Sequence, residues 1–141
     1  MKPRILFVDD DEFVIKGLEI LLFKQRGTWD MHFVSSGKQA LDLFHDNPFD
    51  LVVSDVRMPG LDGIQLVKRL KEEAPNTICI LLSGDIEEHP LMSLIEDGIV
   101  HSLISKPCSY QALYDILTQC VNHIIEAKQD TPLRPTGLQE E

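Results

Sequence analysis

Four short stretches of this chain carry side chains that could bind a cation or transfer a phosphoryl group. They are the acidic run Asp9-Asp10-Asp11, Asp55 ahead of a Pro-Gly turn, Ser83 before a glycine, and Lys106 before a proline. Each stretch directly follows an apolar run. Oxygen ligands are those that Mg²⁺ prefers, and a nearby lysine can neutralise phosphoryl oxygens. The residue types therefore predict a metal-assisted phosphoryl-transfer site, provided that the fold brings the four stretches together.

The apolar runs are short and rich in β-branched residues, which is typical of buried strands. Together with a weaker second run they predict five strands, over residues 5–8, 31–34, 51–55, 78–82 and 103–104. Apolar residues at helical spacing predict a helix after each strand. The predicted helices cover about residues 12–24, a short stretch that ends before residue 47, and residues 63–74, 91–96 and 110–127. In the first helix the recurring apolar residues are Phe13, Leu18, Leu21 and Leu22.

Strict alternation of strands and helices predicts an α/β fold, a doubly wound, five-stranded parallel sheet with helices on both faces. In the strand order 2-1-3-4-5, the first and third strands are neighbours at the topological switch point. Asp9, Asp10 and Asp55 then converge, and Ser83 and Lys106 lie on the adjoining strand ends. Three carboxylates this close repel one another unless a cation such as Mg²⁺ offsets their charge. A hydroxyl and a lysine that face one free carboxylate complete a phosphoryl-transfer site.

The composition is that of a soluble globular protein, because the 141 residues are 43% hydrophobic and carry a net charge of −10. This charge argues against nucleic-acid binding, and no apolar stretch has the length of a membrane span or a signal-peptide core. Three cysteines without metal-binding spacing favour reduced thiols and a cytoplasmic location. Residues 1–127 form the predicted domain. Residues 128–141 lack apolar periodicity and are predicted to form a disordered tail or linker.

Taken together, the four motifs resemble the receiver domain of two-component response regulators, which has a flavodoxin-like fold. The matching residues are Asp9-Asp10, Asp55 with Met58-Pro59-Gly60, Ser83-Gly84 and Lys106-Pro107, within a resemblance that spans roughly residues 3–127. It implies a phosphoprotein switch rather than an enzyme, one that promotes its own phosphorylation and dephosphorylation. The implied partners are a sensor histidine kinase or phosphotransfer protein, an unidentified output domain or protein, and, on phosphorylation, a second copy of the chain.

The resemblance also implies a role for each acidic residue. Asp55 is the expected phosphoacceptor. Asp10 is the expected direct ligand of Mg²⁺, and Asp9 is expected to act mainly through metal-bound water. Arg57 is expected to offer its backbone carbonyl to the metal.

At the neighbouring strand ends the resemblance implies a switch. Ser83 is the expected hydroxyl that moves to a phosphoryl oxygen, and Lys106 is the expected cation that pairs with it. The peptide bond between Lys106 and Pro107 is expected to be cis, as X-Pro bonds alone commonly allow. Leu103 departs from the family pattern, because similar proteins usually carry an aromatic ring at this position and turn it inward on activation.

Two charged residues occupy positions that border the path of hydrolytic water in similar proteins. Arg57 lies two residues after Asp55, and Asp85 lies two residues after Ser83. Their opposite charges predict an ion pair across the mouth of the site. We expect such a pair to shield the phosphoryl group and lengthen its lifetime.

Two other functions fit part of the same pattern. A haloacid-dehalogenase-like phosphatase would use Asp9 as its nucleophile and Asp11 as its acid, but this function leaves Asp55 and its turn unexplained. A constitutive receiver-like binding module would keep the fold without the chemistry, although all five site residues are present. Asp11 is better explained as the N-cap of the first helix.

Overall fold

The computed structural model describes residues 2–84 and 89–130 of the chain. Five parallel strands form one sheet in the order β2-β1-β3-β4-β5. Their bounds are β1 (Arg4–Val8), β2 (Asp30–Val34), β3 (Leu51–Asp55), β4 (Ile78–Ser83) and β5 (Ser102–Ser105). The predicted fold class and strand order are confirmed. Every residue of β3 is buried, whereas the edge strand β2 is only half-buried, as expected from its weaker apolar run.

Five α-helices connect or follow the strands. They are α1 (Glu12–Leu21), α2 (Gly37–Asp46), α3 (Gly63–Glu73), α4 (His89–Glu96) and α5 (Tyr110–Asp130). The first predicted helix is shorter than expected, because a 3₁₀ helix (Phe23–Gly27) replaces its last turn. The last helix continues three residues beyond its predicted end, so residues 128–130 of the predicted tail are helical. None of the described helices combines the length and apolar character needed to cross a bilayer.

The core has two layers, because successive side chains along each strand point to opposite faces of the sheet. Leu6, Val52 and Leu81 pack with α2, α3 and α4 on one face. Phe7 and Val53 pack with Leu22 and α5 on the other. Helices on both faces bury the two central strands and hold their carboxyl ends in fixed positions.

The apolar residues of α1 divide between the core and the surface. Ile15 and Leu22 are buried, and Leu22 and the half-buried Leu18 pack in the core layer that contains α5. Phe13, however, is 88% exposed, and Leu21 is 49% exposed. The apolar positions of this segment therefore cover more of the helix circumference than the sheet can bury.

Candidate functional site

The site lies at the carboxyl ends of the two central strands, β1 and β3, which pair directly in the sheet. Helices leave these strands toward opposite faces, so a crevice opens above the strand ends. Asp9 and Asp10 follow β1 immediately, and Asp55 is the last residue of β3. The predicted convergence of the three carboxylates is therefore observed.

The three carboxylates form a tight acidic cluster. One oxygen from each of Asp9, Asp10 and Asp55 lies within 4.8 Å of the other two. Asp9 is only 2% exposed and Asp55 only 9%, whereas Asp10 is exposed to solvent. Clustered carboxylate oxygens with an open side are a donor set suited to a hard divalent cation that keeps some of its water.

Lys106, which directly follows β5, contacts two carboxylates of the acidic cluster. Its Nζ lies 3.0 Å from Asp55 Oδ1 and 3.5 Å from Asp9 Oδ2. The peptide bond that follows, between Lys106 and Pro107, is cis, as the resemblance implied. The ammonium group thus neutralises part of the acidic cluster and stands beside the carboxylate that ends β3.

The electrostatics of the cluster favour added positive charge. Burial, assisted by the charge of Asp55, raises the pKa of Asp9 above its ordinary value, although the Asp11 amide and Lys106 act in the opposite direction. For Lys106, burial alone would lower the pKa, but the hydrogen bond and charge of Asp55, together with Asp9, raise it. The lysine is therefore held in its charged form, and the buried Asp9 carboxylate remains incompletely compensated.

Asp11 has a structural role. Its Oδ1 accepts a hydrogen bond of 2.9 Å from the Phe13 amide, which caps α1. Its own amide donates a 2.9 Å hydrogen bond to Asp9 Oδ1. Asp11 therefore caps the helix and orients Asp9, and it does not belong to the acidic cluster.

The Ser83 side chain is buried at the end of β4, beside the end of β5. The Ser83 carbonyl accepts a 2.8 Å hydrogen bond from the Lys106 amide. The backbone therefore links the predicted switch hydroxyl to the predicted phosphoryl-binding cation.

The loop after Asp55 is shaped by glycines. Gly60 adopts a left-handed conformation with φ of +75°, which favours glycine in this turn. Gly63, the first residue of α3, lies so close to the Asp55 backbone that a Cβ atom would collide with the Asp55 carbonyl oxygen. Sequence reasoning missed this positioning role, although the Asp62-Gly63 pair at a helix start was its visible signal.

The remaining predicted positions have mixed outcomes. Arg57 is exposed at the rim beside Asp55, and the role of its carbonyl as a metal ligand stays a prediction. Asp85 lies outside the described residues, so its ion pair with Arg57 also stays a prediction. Leu103 is half-buried in β5 and packs against the layer that contains α4.

Comparison with known protein families identifies one family that matches most of the chain, including the residues of the site. The family described as "Response regulator receiver domain" matches residues 5–118. The response regulator protein VraR of Staphylococcus saprophyticus is 28% identical over 123 residues, which cover 87% of this chain and 58% of that protein. The autoinducer 1 sensor kinase/phosphatase LuxN of Vibrio campbellii is 31% identical over 120 residues, 85% of this chain but 14% of that protein. The chain thus spans less than two thirds of the length of these relatives.

Solved structures agree with this match. The signal receiver domain of an HD domain-containing protein from Pseudomonas fluorescens has a TM-score of 0.81 at 32% identity, over 89% of this chain and 99% of that one. A CheY-like response regulator receiver domain protein from Methanospirillum hungatei has a TM-score of 0.81 at 17% identity, over 90% and 99% respectively, and shows similarity of fold alone.

The phosphatase alternative loses its structural basis. It required Asp11 as the acid, but the Asp11 side chain caps α1. It also left Asp55 unexplained, and Asp55 lies within the acidic cluster. The family match supports neither the phosphatase nor the constitutive binding module.

Proposed function

The chain belongs to the receiver domain family of two-component response regulators, and we propose that Asp55 is its phosphoacceptor. One observation carries the proposal: Asp55, at the end of a buried strand, contacts the Lys106 ammonium at 3.0 Å and shares a cluster with Asp9 and Asp10. The lysine ammonium can offset the negative charge of a phosphoryl group added to Asp55, and the two neighbouring carboxylates can hold a metal cation.

The donor set fits Mg²⁺. One carboxylate oxygen from each of Asp9, Asp10 and Asp55 lies within 4.8 Å of the other two. Asp10, Asp55 and the Arg57 carbonyl are the proposed direct donors, and Asp9 is proposed to act mainly through metal-bound water. The raised pKa of Asp9 is consistent with this assignment, because burial and, to a smaller extent, the charge of Asp55 disfavour the Asp9 carboxylate more than the Asp11 amide and Lys106 favour it. When bound, Mg²⁺ supplies positive charge that stabilises the phosphoryl oxygens.

In the proposed transfer, an Asp55 carboxylate oxygen attacks the phosphorus of a phosphohistidine on a sensor histidine kinase or phosphotransfer protein. The new O–P bond forms as the P–N bond breaks, and the leaving imidazole takes up a proton. The Lys106 ammonium pairs with a phosphoryl oxygen, and the Ser83 hydroxyl donates a hydrogen bond to another. The product is an aspartyl phosphate.

The same site is proposed to reverse the modification. A water molecule attacks the phosphorus, the O–P bond to Asp55 breaks, and inorganic phosphate leaves with the Asp55 carboxylate restored. Arg57 at the rim would limit the access of this water.

The conformational change is proposed to travel through the backbone of β4 and β5. Ser83 and Lys106 are already joined by a hydrogen bond between these strands. Leu103 has no aromatic ring to turn inward, so a shift of the strand end and of α4 would carry the signal to an output domain or partner protein. We place this chemistry in the cytoplasm, consistent with three cysteines that are all unpaired thiols.

The direct test is intact mass spectrometry of the protein after incubation with acetyl phosphate and Mg²⁺. We expect one phosphoryl adduct on the wild type and on the control Asp115→Asn, whose side chain is exposed on α5. We expect none on Asp55→Asn and none on the wild type in EDTA. An adduct that persists on Asp55→Asn would contradict the assignment of the phosphoacceptor.

A further inference from the structure

Two buried hydroxyl groups lie outside the set of residues assigned to the phosphorylation site. In the part of the chain that the structure describes, the buried polar and charged side chains are those of Asp9, Ser54, Asp55, Thr77 and Ser83. Three of them belong to the site, which leaves Ser54 and Thr77. Burying a hydroxyl costs free energy unless it is hydrogen-bonded, so the partner of each hydroxyl indicates what it does.

Ser54 occupies an otherwise apolar position in the central strand β3, directly before the proposed phosphoacceptor. Its side chain is completely buried. Its register partners on the neighbouring strands, Val8 and Leu81, belong to the core layer that packs with α2, α3 and α4. An apolar side chain would suit these neighbours, so packing in this layer does not account for a hydroxyl at this position.

The Ser54 hydroxyl holds the peptide group that joins Asp55 to Val56. Ser54 Oγ donates a 2.8 Å hydrogen bond to the Asp55 carbonyl oxygen. The amide of the same peptide group, that of Val56, donates a 3.1 Å hydrogen bond to the Leu82 carbonyl. The next carbonyl, that of Val56, accepts a 2.9 Å hydrogen bond from the Gly63 amide. Both polar groups of this peptide are therefore bound, which fixes the direction of the chain as it leaves β3.

Two proposed donors to Mg²⁺ lie on either side of this peptide group. The Asp55 side chain precedes it, and the Arg57 carbonyl follows it two residues further along the chain. Rotation of the peptide group would change the separation between these two donors. Mg²⁺ requires a nearly ideal octahedral arrangement of its ligands, and groups that orient the ligands determine how tightly a metal binds.

We propose that Ser54 is a positioning residue for the Mg²⁺ site. Its hydroxyl holds the peptide group after Asp55, so that the Asp55 carboxylate and the Arg57 carbonyl are directed at one cation. The inference rests on the proposed function and adds to it a residue whose side chain lies in the core. Because Ser54 acts through the backbone, its loss should weaken Mg²⁺ binding and thereby slow phosphorylation, and saturating Mg²⁺ should restore the rate.

Thr77 provides a matched control at the opposite edge of the sheet. Its hydroxyl is also buried and donates a 2.8 Å hydrogen bond to a backbone carbonyl, that of Phe49. Thr77 directly precedes β4, and Phe49 lies just before β3, whereas the site lies at the carboxyl ends of the strands. Thr77→Val therefore removes the same kind of hydrogen bond as Ser54→Ala, but far from the proposed metal donors.

The test is a Mg²⁺ titration of the full 141-residue chain, followed in proton–nitrogen NMR correlation spectra. We expect the dissociation constant for Mg²⁺ to rise about tenfold in Ser54→Ala and to stay unchanged in Thr77→Val. Phosphorylation by acetyl phosphate, followed by intact mass, should slow in Ser54→Ala at limiting Mg²⁺ and recover at saturating Mg²⁺. Ser54→Cys is a milder second variant that keeps a weak donor, and its dissociation constant should lie between those of the wild type and Ser54→Ala.

Three results would overturn the inference. Equal losses of Mg²⁺ affinity in Ser54→Ala and Thr77→Val would reduce Ser54 to a structural role, and wild-type affinity in Ser54→Ala would leave it no role in the site. A phosphorylation rate that stays low at saturating Mg²⁺ would place the defect outside metal binding. Failure of the proposed function is distinguishable from these results, because it would appear as a wild type without a phosphoryl adduct, while the Mg²⁺ affinities of the variants would still decide the role of Ser54.

Discussion

Asp9 is the site residue whose surroundings are least favourable to its charge. Its carboxyl is almost fully buried and shares the cluster with Asp55. The Asp11 amide at 2.9 Å and the Lys106 ammonium at 3.5 Å compensate it only in part, because the balance of effects still raises its pKa. The metal-free protein therefore loses stability at this residue, and a bound cation would recover it.

Replacing the Asp9 charge should stabilise the metal-free protein. In EDTA at neutral pH, Asp9→Asn should raise the free energy of unfolding by about 1 kcal/mol, since the amide keeps an oxygen for the Asp11 hydrogen bond and removes a buried charge. Urea denaturation measures the change. Asp115→Asn, an exposed substitution, serves as the control and should be nearly neutral. A variant less stable than the wild type in EDTA would contradict this account of Asp9.

The pH dependence of this effect has a definite sign. Folding raises the pKa of Asp9 above its ordinary value of 3.8. At pH values just above 3.8, the Asp9 carboxyl therefore keeps its proton in the native state but has lost it in the unfolded chain. The contribution of Asp9 to the free energy of unfolding therefore falls as pH rises through this range. The stability advantage of Asp9→Asn should grow through the same range and then level off. An advantage that shrinks as pH rises would oppose the predicted sign.

The three thiols should differ sharply in reactivity. Burial raises the pKa of Cys79 to about 12 and also raises the pKa of Cys120. Cys108 is only half-buried, beside Pro107. At mildly alkaline pH, iodoacetamide should therefore modify Cys108 fastest in the folded protein and reach Cys79 only after unfolding. Peptide mass spectrometry gives the site, and Cys108→Ser should abolish the rapid phase; early modification of Cys79 would refute the buried assignment.

At the scale of the elements, the strands were predictable because a strand buried on both faces carries a nearly continuous apolar run, as β3 and β4 do up to their polar carboxyl ends. Helix ends and helix faces were less predictable. The 3₁₀ turn after Leu21 leaves no signature in apolar spacing. The exposure of Phe13 was not visible either, because periodicity identifies an apolar stripe but not whether the same molecule covers it.

Two helical glycines should respond in opposite directions to the same substitution. Gly17→Ala should raise the free energy of unfolding of the monomer by about 0.5–1 kcal/mol, because open space surrounds the new methyl group and alanine favours the helix. Gly63→Ala should lower it by about 1–3 kcal/mol, because the methyl group collides with the Asp55 carbonyl. Thermal unfolding at low concentration compares them. Equal effects would mean that the contact between α3 and β3 is not tight.

At the scale of the whole molecule, strict alternation of strands and helices, together with the strand order 2-1-3-4-5, predicted that Asp9, Asp10 and Asp55 meet. Parallel strands joined by crossovers bring their carboxyl ends to one edge, so Asp9 and Asp55 had to be neighbours once β1 and β3 paired. The finer geometry was beyond the sequence, because the 3.0 Å contact of Lys106 with Asp55 depends on the conformation of one long, flexible side chain that follows β5.

The acidic cluster should make the stability of the whole domain depend on Mg²⁺. A cation that binds only the folded state stabilises it by RT ln(1 + [L]/Kd), about 2.7 kcal/mol at a hundred times the dissociation constant. Asp9→Asn and Asp10→Asn should reduce this gain, because each removes a carboxylate of the cluster. Asp11→Asn is a matched control from the same acidic run: asparagine also caps helices well, and Asp11 holds α1 rather than the metal. Urea denaturation across a Mg²⁺ titration measures all four proteins. If Asp11→Asn lost the Mg²⁺ effect while Asp10→Asn kept it, the metal would have to bind elsewhere on the acidic run, and the Asp55-centred site would be wrong.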